Sequence, residues 1–372
     1  MSSLYLQPLV VDLGRSSLQS GLAGSPSPQT SPSLVGTLKH PRVMAGGNIP
    51  TDETIGNWHT GKTVGSHPGA FVLEKAVDIG GKVDVEKYAA LLQHTHQLNS
   101  CTIGSHPVML TENTTAANLM RTRTELSQIL FEEYQVPALF FSSTAVLSLY
   151  SAGVTTGSVI TLGDSLMECC NVYQGLGLPH STSGNSVAGG RVTGEMLKTI
   201  KSETGLSLTT SAEYEIAQKW KEDCCSLSAS GAKEYKLPDG TAVSLNKASL
   251  SQPLECLFDP MLLGLEEQGC HKVVKEAIQK CDIDIREEMW GNLYLMGGTG
   301  GAGGVGERIL KELRALSPPH TRIRITKPNA RVDGVWVGGS ILASLSAFKG
   351  MWVDREEWTE KGEESVRRRM LI

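Results

Sequence analysis

The chain has 372 residues, 40% hydrophobic and 20% charged, with 34 Lys and Arg against 39 Asp and Glu for a net charge of −5. This composition excludes a disordered chain and, at about 150 residues per domain, predicts two or three domains. Its mild acidity gives no bulk attraction to phosphate backbones, which argues against nucleic-acid binding, and no apolar run is long enough to span a bilayer.

The opening stretch, MSSLYLQPLVVDLG, lacks a basic leader segment and a small-residue cleavage site, and is expected to run directly into a strand. Leu4 to Leu13 is apolar and β-branched, Asp12 to Ser17 holds turn residues, and Leu18 to Ala23 resumes, which predicts strand, tight turn and returning strand. Ser25 to Pro32 reads as a Pro/Ser loop, and Met44 to Pro68 as loops around short strands in a small mobile subdomain. Helical spacing marks Val85 to Leu98 and Ala116 to Tyr134, with strands at Val108 to Thr111 and Pro137 to Phe141 and a helix at Ser142 to Ser151.

Thr156 to Leu162 is again β-rich, ends in Gly163-Asp164-Ser165, and is followed by a returning run, Met167 to Tyr173. The opening pattern thus recurs about 150 residues on, a candidate duplication of an α/β unit with Asp12 or Asp164 at the exit of each core strand, where ligands gather in open α/β sheets. Ala212 to Ser226 is expected to be a helix capped by Ser211, with Lys221 and Glu222 near its end; a solvated face is the simpler reading of that pair. Pro238-Asp239-Gly240 signals a hairpin within Lys236 to Leu245. Val273 to Lys280 is helical, Asn292 to Met296 a strand, and the glycine-rich run from Gly297 to Gly306 neither helix nor packed strand. A helix at Glu307 to Leu316, a strand at Arg322 to Thr326 and a helix at Ser340 to Phe348 follow.

The three turns at Asp12, Gly163 and Gly297 can present backbone N–H groups to phosphate oxygens, and Asp12 with Asp164 could hold a hydrated Mg²⁺. His94 and His96 flank one residue of a helix and make a poor metal pair. The eight cysteines form no CxxC, so reduced thiols in a cytosolic or nuclear compartment are expected, and the sequon at Asn113 is discounted on the same ground.

Several longer strings resemble the actin family. Ala145 to Gly157 (AVLSLYSAGVTTG) is close to that family's AVLSLYASGRTTG. Val335 to Ser346, Cys281 to Arg286, Leu110-Thr111-Glu112 and Tyr235 to Gly240 also match, and the likeness runs through essentially the whole chain. The resemblance implies an α/β fold: an actin/RNase-H-like duplication, two large domains in four subdomains around a nucleotide cleft. Subdomain 1 would comprise 1–32, 76–151 and 334–372; subdomain 2, 33–75; subdomain 3, 152–188 and 266–333; subdomain 4, 189–265.

Actins bind ATP or ADP with Mg²⁺, so the resemblance also assigns sites. Phosphate contacts fall on Asp12, Gly14, Arg15, Gly163, Asp164 and Ser165, base and ribose contacts on Gly189, Lys221, Glu222, Gly298 and Thr299, and a water-bridged metal on Asp12 and Asp164. Departures are concentrated in this pocket. The phosphate-binding Lys is Gln19, one carboxylate of the second loop is Thr161, and the groups flanking adenine are Ala302 and Val332. The Gln and His that place the attacking water are Thr144 and Glu168. Arg15 either restores the lost positive charge or fills the phosphate site.

No catalytic residue is intact, so a retained scaffold with little or no ATP hydrolysis is expected. The leading expectation is a structural subunit of a motor- or microtubule-associated cytoskeletal assembly in the cytoplasm, partnered by protein subunits and by no membrane or nucleic acid. Tyr150, Gly153, Leu342, Leu345 and Met351 keep the cleft between subdomains 1 and 3 in which amphipathic helices dock, though they equally suit hinge packing. The alternatives are a slow, polymerising ATPase and a nuclear subunit of a chromatin-remodelling complex.

Overall fold

A computed structural model describes residues 6–39, 54–55, 58–238, 240–328 and 332–369. The chain divides into two compact units, residues 1–155, 172–177 and 332–372 in one, and 156–171 and 178–331 in the other.

The first unit is built on a six-stranded sheet. Its spatial order is Val353–Asp354, Ala138–Ser143, Val108–Glu112, Leu9–Leu13, Ser17–Leu22, Gln29–Pro32. Leu9–Leu13 runs parallel to Val108–Glu112, which is parallel to Ala138–Ser143. On its other side it is antiparallel to Ser17–Leu22. Side chains alternate across a strand, so one sheet faces two cores. Leu9, Val11, Val108, Leu110, Leu139 and Phe141 pack on one face with Leu130 and Phe131. Val10, Met109 and Phe140 pack on the other with Trp336, Phe348 and Trp352. The helix Gly334–Ser344 lies on that second face beside the helix Thr144–Ser151, and the Trp336 indole donates to the Val10 carbonyl at 3.2 Å. A separate four-stranded sheet is formed by Leu34–Leu38, Thr54–Ile55, Trp58–His59 and Phe71–Lys75.

In the second unit the central strand Gly157–Leu162 has Met167–Tyr173 on one side. On the other it is parallel to Leu293–Met296, which is parallel to Ile325–Thr326. Tyr173 leads into the short returning strand Leu176–Gly177, whose residues group with the first unit. Numbered along the chain, both sheets contain the spatial order 3-2-1-4-5, with strand 1 central and buried. The duplication suggested by the two strand–turn–strand repeats is therefore a duplication of topology.

Polar groups also fix this unit. Asn171 is fully buried; it accepts from Ser158 at 2.5 Å and donates to the carbonyls of Ser181 and Ala277 at 2.8 and 3.1 Å, tying the sheet to the helix Cys270–Gln279. That helix buries Cys270, Val273, Val274, Ala277 and Ile278, an i, i+3, i+4, i+7, i+8 stripe. All eight cysteines are buried free thiols.

Several expected boundaries move. Gln29–Pro32 is an edge strand rather than loop, paired to Ser17–Ser20 with its proline at the strand end, where no ladder donor is missed. The helix expected from Ala116 begins at Leu119 and passes into a π-helical turn at Ile129–Glu133. The helix expected from Ala212 is Ser211–Cys224, capped by Thr210 rather than Ser211: Thr210 accepts from the Glu213 N–H and Glu213 reaches back to the Thr210 N–H, a reciprocal capping box. The glycine-rich run holds a 3₁₀ turn at Thr299–Gly301 and opens the helix Val305–Leu316. The last large helix is Gly334–Ser344, six residues earlier than expected at its start and followed by a 3₁₀ turn at Ser346–Met351. His94 is buried, contacting Ser31 and Gln97 through its two ring nitrogens, while His96 is exposed. Residues 44–53 and Asp239 lie outside the described residues. No helix among the described residues is long and apolar enough to cross a membrane.

Candidate nucleotide site

The two phosphate-turn candidates sit at corresponding places, each leaving the C-terminal end of the central strand of its own unit. In the first unit the chain turns at Gly14-Arg15-Ser16, closed by the Gly14 N–H donating to the Ser17 carbonyl at 3.0 Å. Asp12 lies one residue before Leu13, the end of the strand, and accepts from Thr111 on the parallel neighbour at 2.5 Å. Asp12 is partly buried, and desolvation pushes its pKa from 3.8 to about 6, against the lowering effect of the Thr111 hydroxyl. Gln19 is buried. Its amide donates to Asp333 at 2.8 Å and more weakly to the Val332 carbonyl at 3.4 Å, while its amide oxygen has no hydrogen-bond partner. Thr144 donates its hydroxyl to Asn113 at 2.9 Å.

The raised Asp12 carboxyl makes a signed prediction. The folded state holds this proton more tightly than the unfolded chain. The corresponding stability is therefore fully present below about pH 4 and is lost as pH rises through about 6. Asp12→Asn, which keeps an acceptor for Thr111 without the charge, is expected to stabilise the chain by about 2 kcal/mol at pH 7.5 and by nothing near pH 4. Denaturant titrations at the two pH values check this. A variant no more stable than the parent at pH 7.5 would show that the Asp12 charge is compensated in the fold.

The second unit assembles more of the expected residues. Gly163, Asp164 and Ser165 form the turn after Gly157–Leu162. The Gly163 carbonyl accepts from the Gly189 N–H at 3.0 Å and from the Thr299 hydroxyl at 2.8 Å, and the Asp164 carbonyl accepts from the Gly190 N–H at 2.8 Å. These bonds lock the turn onto the start of the helix Gly189–Thr204 and onto the glycine-rich run. Position 189 has no room for a side chain, since a Cβ there would meet the Thr299 hydroxyl and stand 2.9 Å from an Asp164 carboxylate oxygen.

Lys221 enters this cluster from the helix Ser211–Cys224. Its ammonium lies 3.4 Å from the Asp164 carboxylate and donates to the Gly189 carbonyl at 3.2 Å, and both charged side chains are under one-tenth exposed. The reading of Lys221 as part of a solvated helix face is thus corrected. Glu222, its exposed neighbour, accepts from Gln218 at 3.1 Å, and Gly298 is exposed, so these two stand outside the cluster. Glu168 is wholly buried in its strand opposite Gly184. The Thr161 hydroxyl, where the family has a carboxylate, is buried with no hydrogen-bond partner.

A sequence model of the Actin family matches residues 3–371. The chain belongs to the actin family. Members of this family generally bind ATP or ADP with Mg²⁺, which makes the donor set the question. The first turn supplies a carboxyl of raised pKa and, at the lysine position, an uncharged amide already held by Asp333. The second supplies a carboxylate facing the chain's own ammonium. Each turn thus carries a carboxyl already engaged within its own unit, by Thr111 at Asp12 and by Lys221 at Asp164, and Gln19 brings no charge to the lysine position.

The residues of the expected helix-docking cleft all belong to the first unit. Leu342 and Met351 pack partly buried against the Trp336–Phe348–Trp352 cluster, Leu345 is exposed, and the Tyr150 hydroxyl approaches the Gly175 carbonyl at 3.5 Å. Sequence reasoning missed Asn113, Thr111 and Asp333 as partners of the site. Only Thr111 carried a signal, since it sits in the Leu110-Thr111-Glu112 match.

Proposed function

We propose that this actin-family protein is a divergent actin-related protein that works as a structural subunit of a cytoskeletal assembly, motor- or microtubule-associated, with little or no ATP hydrolysis. Hydrolysis in this fold depends on placing and polarising a water beside the terminal phosphate, a positional effect that is lost when the orienting groups go. The observation that carries the reading is the state of those positions. Thr144 is short and committed to Asn113, and Glu168 is an acid wholly buried in a strand. Meanwhile both sheets and their helices are intact, which is what a building block needs.

The exposed Ile341 and Leu345, beside the partly buried Leu342, suit the apolar face of a partner's amphipathic helix, and we place the protein in the cytoplasm with such a partner. Two experiments test this. In a pelleting assay with Mg-ATP and salt the purified chain is expected to stay in the supernatant, and affinity capture from cells is expected to recover tubulin or motor subunits. ATP-driven polymerisation resembling that of actin, or co-purification of chromatin-remodelling subunits, would overturn the proposal.

A further inference from the structure

We propose that the first unit carries a docking pocket for a basic residue, arginine or lysine, of a partner protein. The pocket lies on the opposite face of the six-stranded sheet from the exposed Ile341 and Leu345. It holds whether or not the chain hydrolyses ATP, and so stands apart from the function proposed above.

The observation is a cavity of about 460 Å³ between the π-helical turn Ile129–Glu133 and two helices near the end of the chain, Arg355–Lys361 and Glu363–Arg369. Its floor is apolar. Phe131 and Trp358, both buried, stack with ring centroids 5.3 Å apart and belong to the core that also holds Leu9 and Val11. Two backbone features shape the opening. One is the π-turn itself, a rare form found frequently at functional sites. The other is Gly362, which separates the two helices at φ 55° and ψ −136°, a conformation that suits glycine, and a Cβ there would meet nothing within 4 Å.

The walls are charged and chiefly negative. Glu132 and Glu363 line the cavity, with Arg355 as the cation among its lining residues. Glu132 forms no ion pair among the described residues. Glu363 meets Arg367 at 3.1 Å, but both side chains are about half exposed, and so open a pair is weak enough for a competing cation to displace. Residues 355–364 hold five acids, Glu356, Glu357, Glu360, Glu363 and Glu364, against two bases, Arg355 and Lys361. A long basic side chain matches both parts of this lining. Its aliphatic stem packs on the aromatic floor while its charged head meets the carboxylates. An acidic side chain would be repelled by the walls, and an apolar one would leave them unmatched.

The test is fluorescence anisotropy of a labelled Gly/Ser peptide carrying three arginines, titrated with the full chain, beside the same peptide carrying three glutamates. The arginine peptide is expected to bind and the glutamate peptide to stay free. Glu132→Gln with Glu363→Gln is expected to weaken binding by about five-fold or more. Glu287→Gln with Glu288→Gln removes the same charge from exposed positions of the second unit and is expected to change binding by less than about two-fold. Arg355→Gln takes a like charge out of the cavity wall and is expected to tighten binding by about two-fold. These side chains are at the surface, so every variant is expected to melt like the parent. An arginine peptide that does not bind, an equal loss in the two double variants, which would mark bulk attraction to an acidic chain, or weaker binding by Arg355→Gln would overturn the proposal.

Discussion

Replacing Arg123 with alanine is expected to cost about 3 kcal/mol of stability. Arg123 and Glu112 form a two-pronged ion pair, one prong from the Arg123 Nε at 2.8 Å and the other from Nη2, with side chains only 11% and 12% exposed. Burial pushes the Glu112 carboxyl up and the guanidinium pulls it back down, with burial winning. Without the arginine the carboxylate is left in a low-dielectric site at neutral pH. The sign with pH follows. Removing Arg123 raises the folded-state pKa of Glu112 further, so the penalty is largest at pH 7 to 8 and shrinks as acid neutralises the group. Urea titrations at pH 7.5 and pH 5 measure both effects. Arg123→Met with Glu112→Gln should recover more than half of the loss at pH 7.5, and a double variant as unstable as the single would refute the assignment.

Gly338→Ala should be comparably damaging, at about 3 kcal/mol, through a different cause. Gly338 lies inside the helix Gly334–Ser344 where it crosses Thr144–Ser151, and a Cβ there would collide with the backbone carbonyl of Leu147. A flexible side chain can move aside, but a helix backbone packed against a sheet cannot do so without shifting its neighbours. Gly350→Ala is the control, since a Cβ at that position meets nothing within 4 Å; it should change stability by less than about 0.5 kcal/mol. Equal stability of the two variants would contradict the packing argument.

The same glycine shows why parts of the fold were hidden in the sequence. Gly338-Gly339 reads as a break because glycine is a poor helix former, which put the expected helix start at Ser340. The structure runs the helix straight through, because close approach to Leu147 outweighs local propensity. Strands were far more legible. The apolar, β-branched run ending at Leu13 marked a strand, and because both of its faces are covered Leu9 and Val11 enter one core and Val10 the other, whereas the helix Cys270–Gln279 was expected only from Val273. Gln29–Pro32 was not legible as a strand, since an edge strand partners by backbone and its side chains need no pattern.

The site divides along similar lines. The turns at Asp12 and Gly163 could be located because turn chemistry is local. The engagements of Lys221 with Asp164, Gln19 with Asp333 and Thr144 with Asn113 span 57, 314 and 31 residues, so only the folded topology brings those groups together. The family resemblance indicated which positions had changed, and only the fold brings the replacements to the groups they bond.

The central claim is that an actin scaffold persists here without its hydrolytic chemistry. Phosphate released by the purified chain in Mg-ATP, followed over hours under polymerising salt beside conventional actin, tests it most directly. No phosphate above the protein-free control is the predicted result. Release at the rate of the actin sample would contradict it.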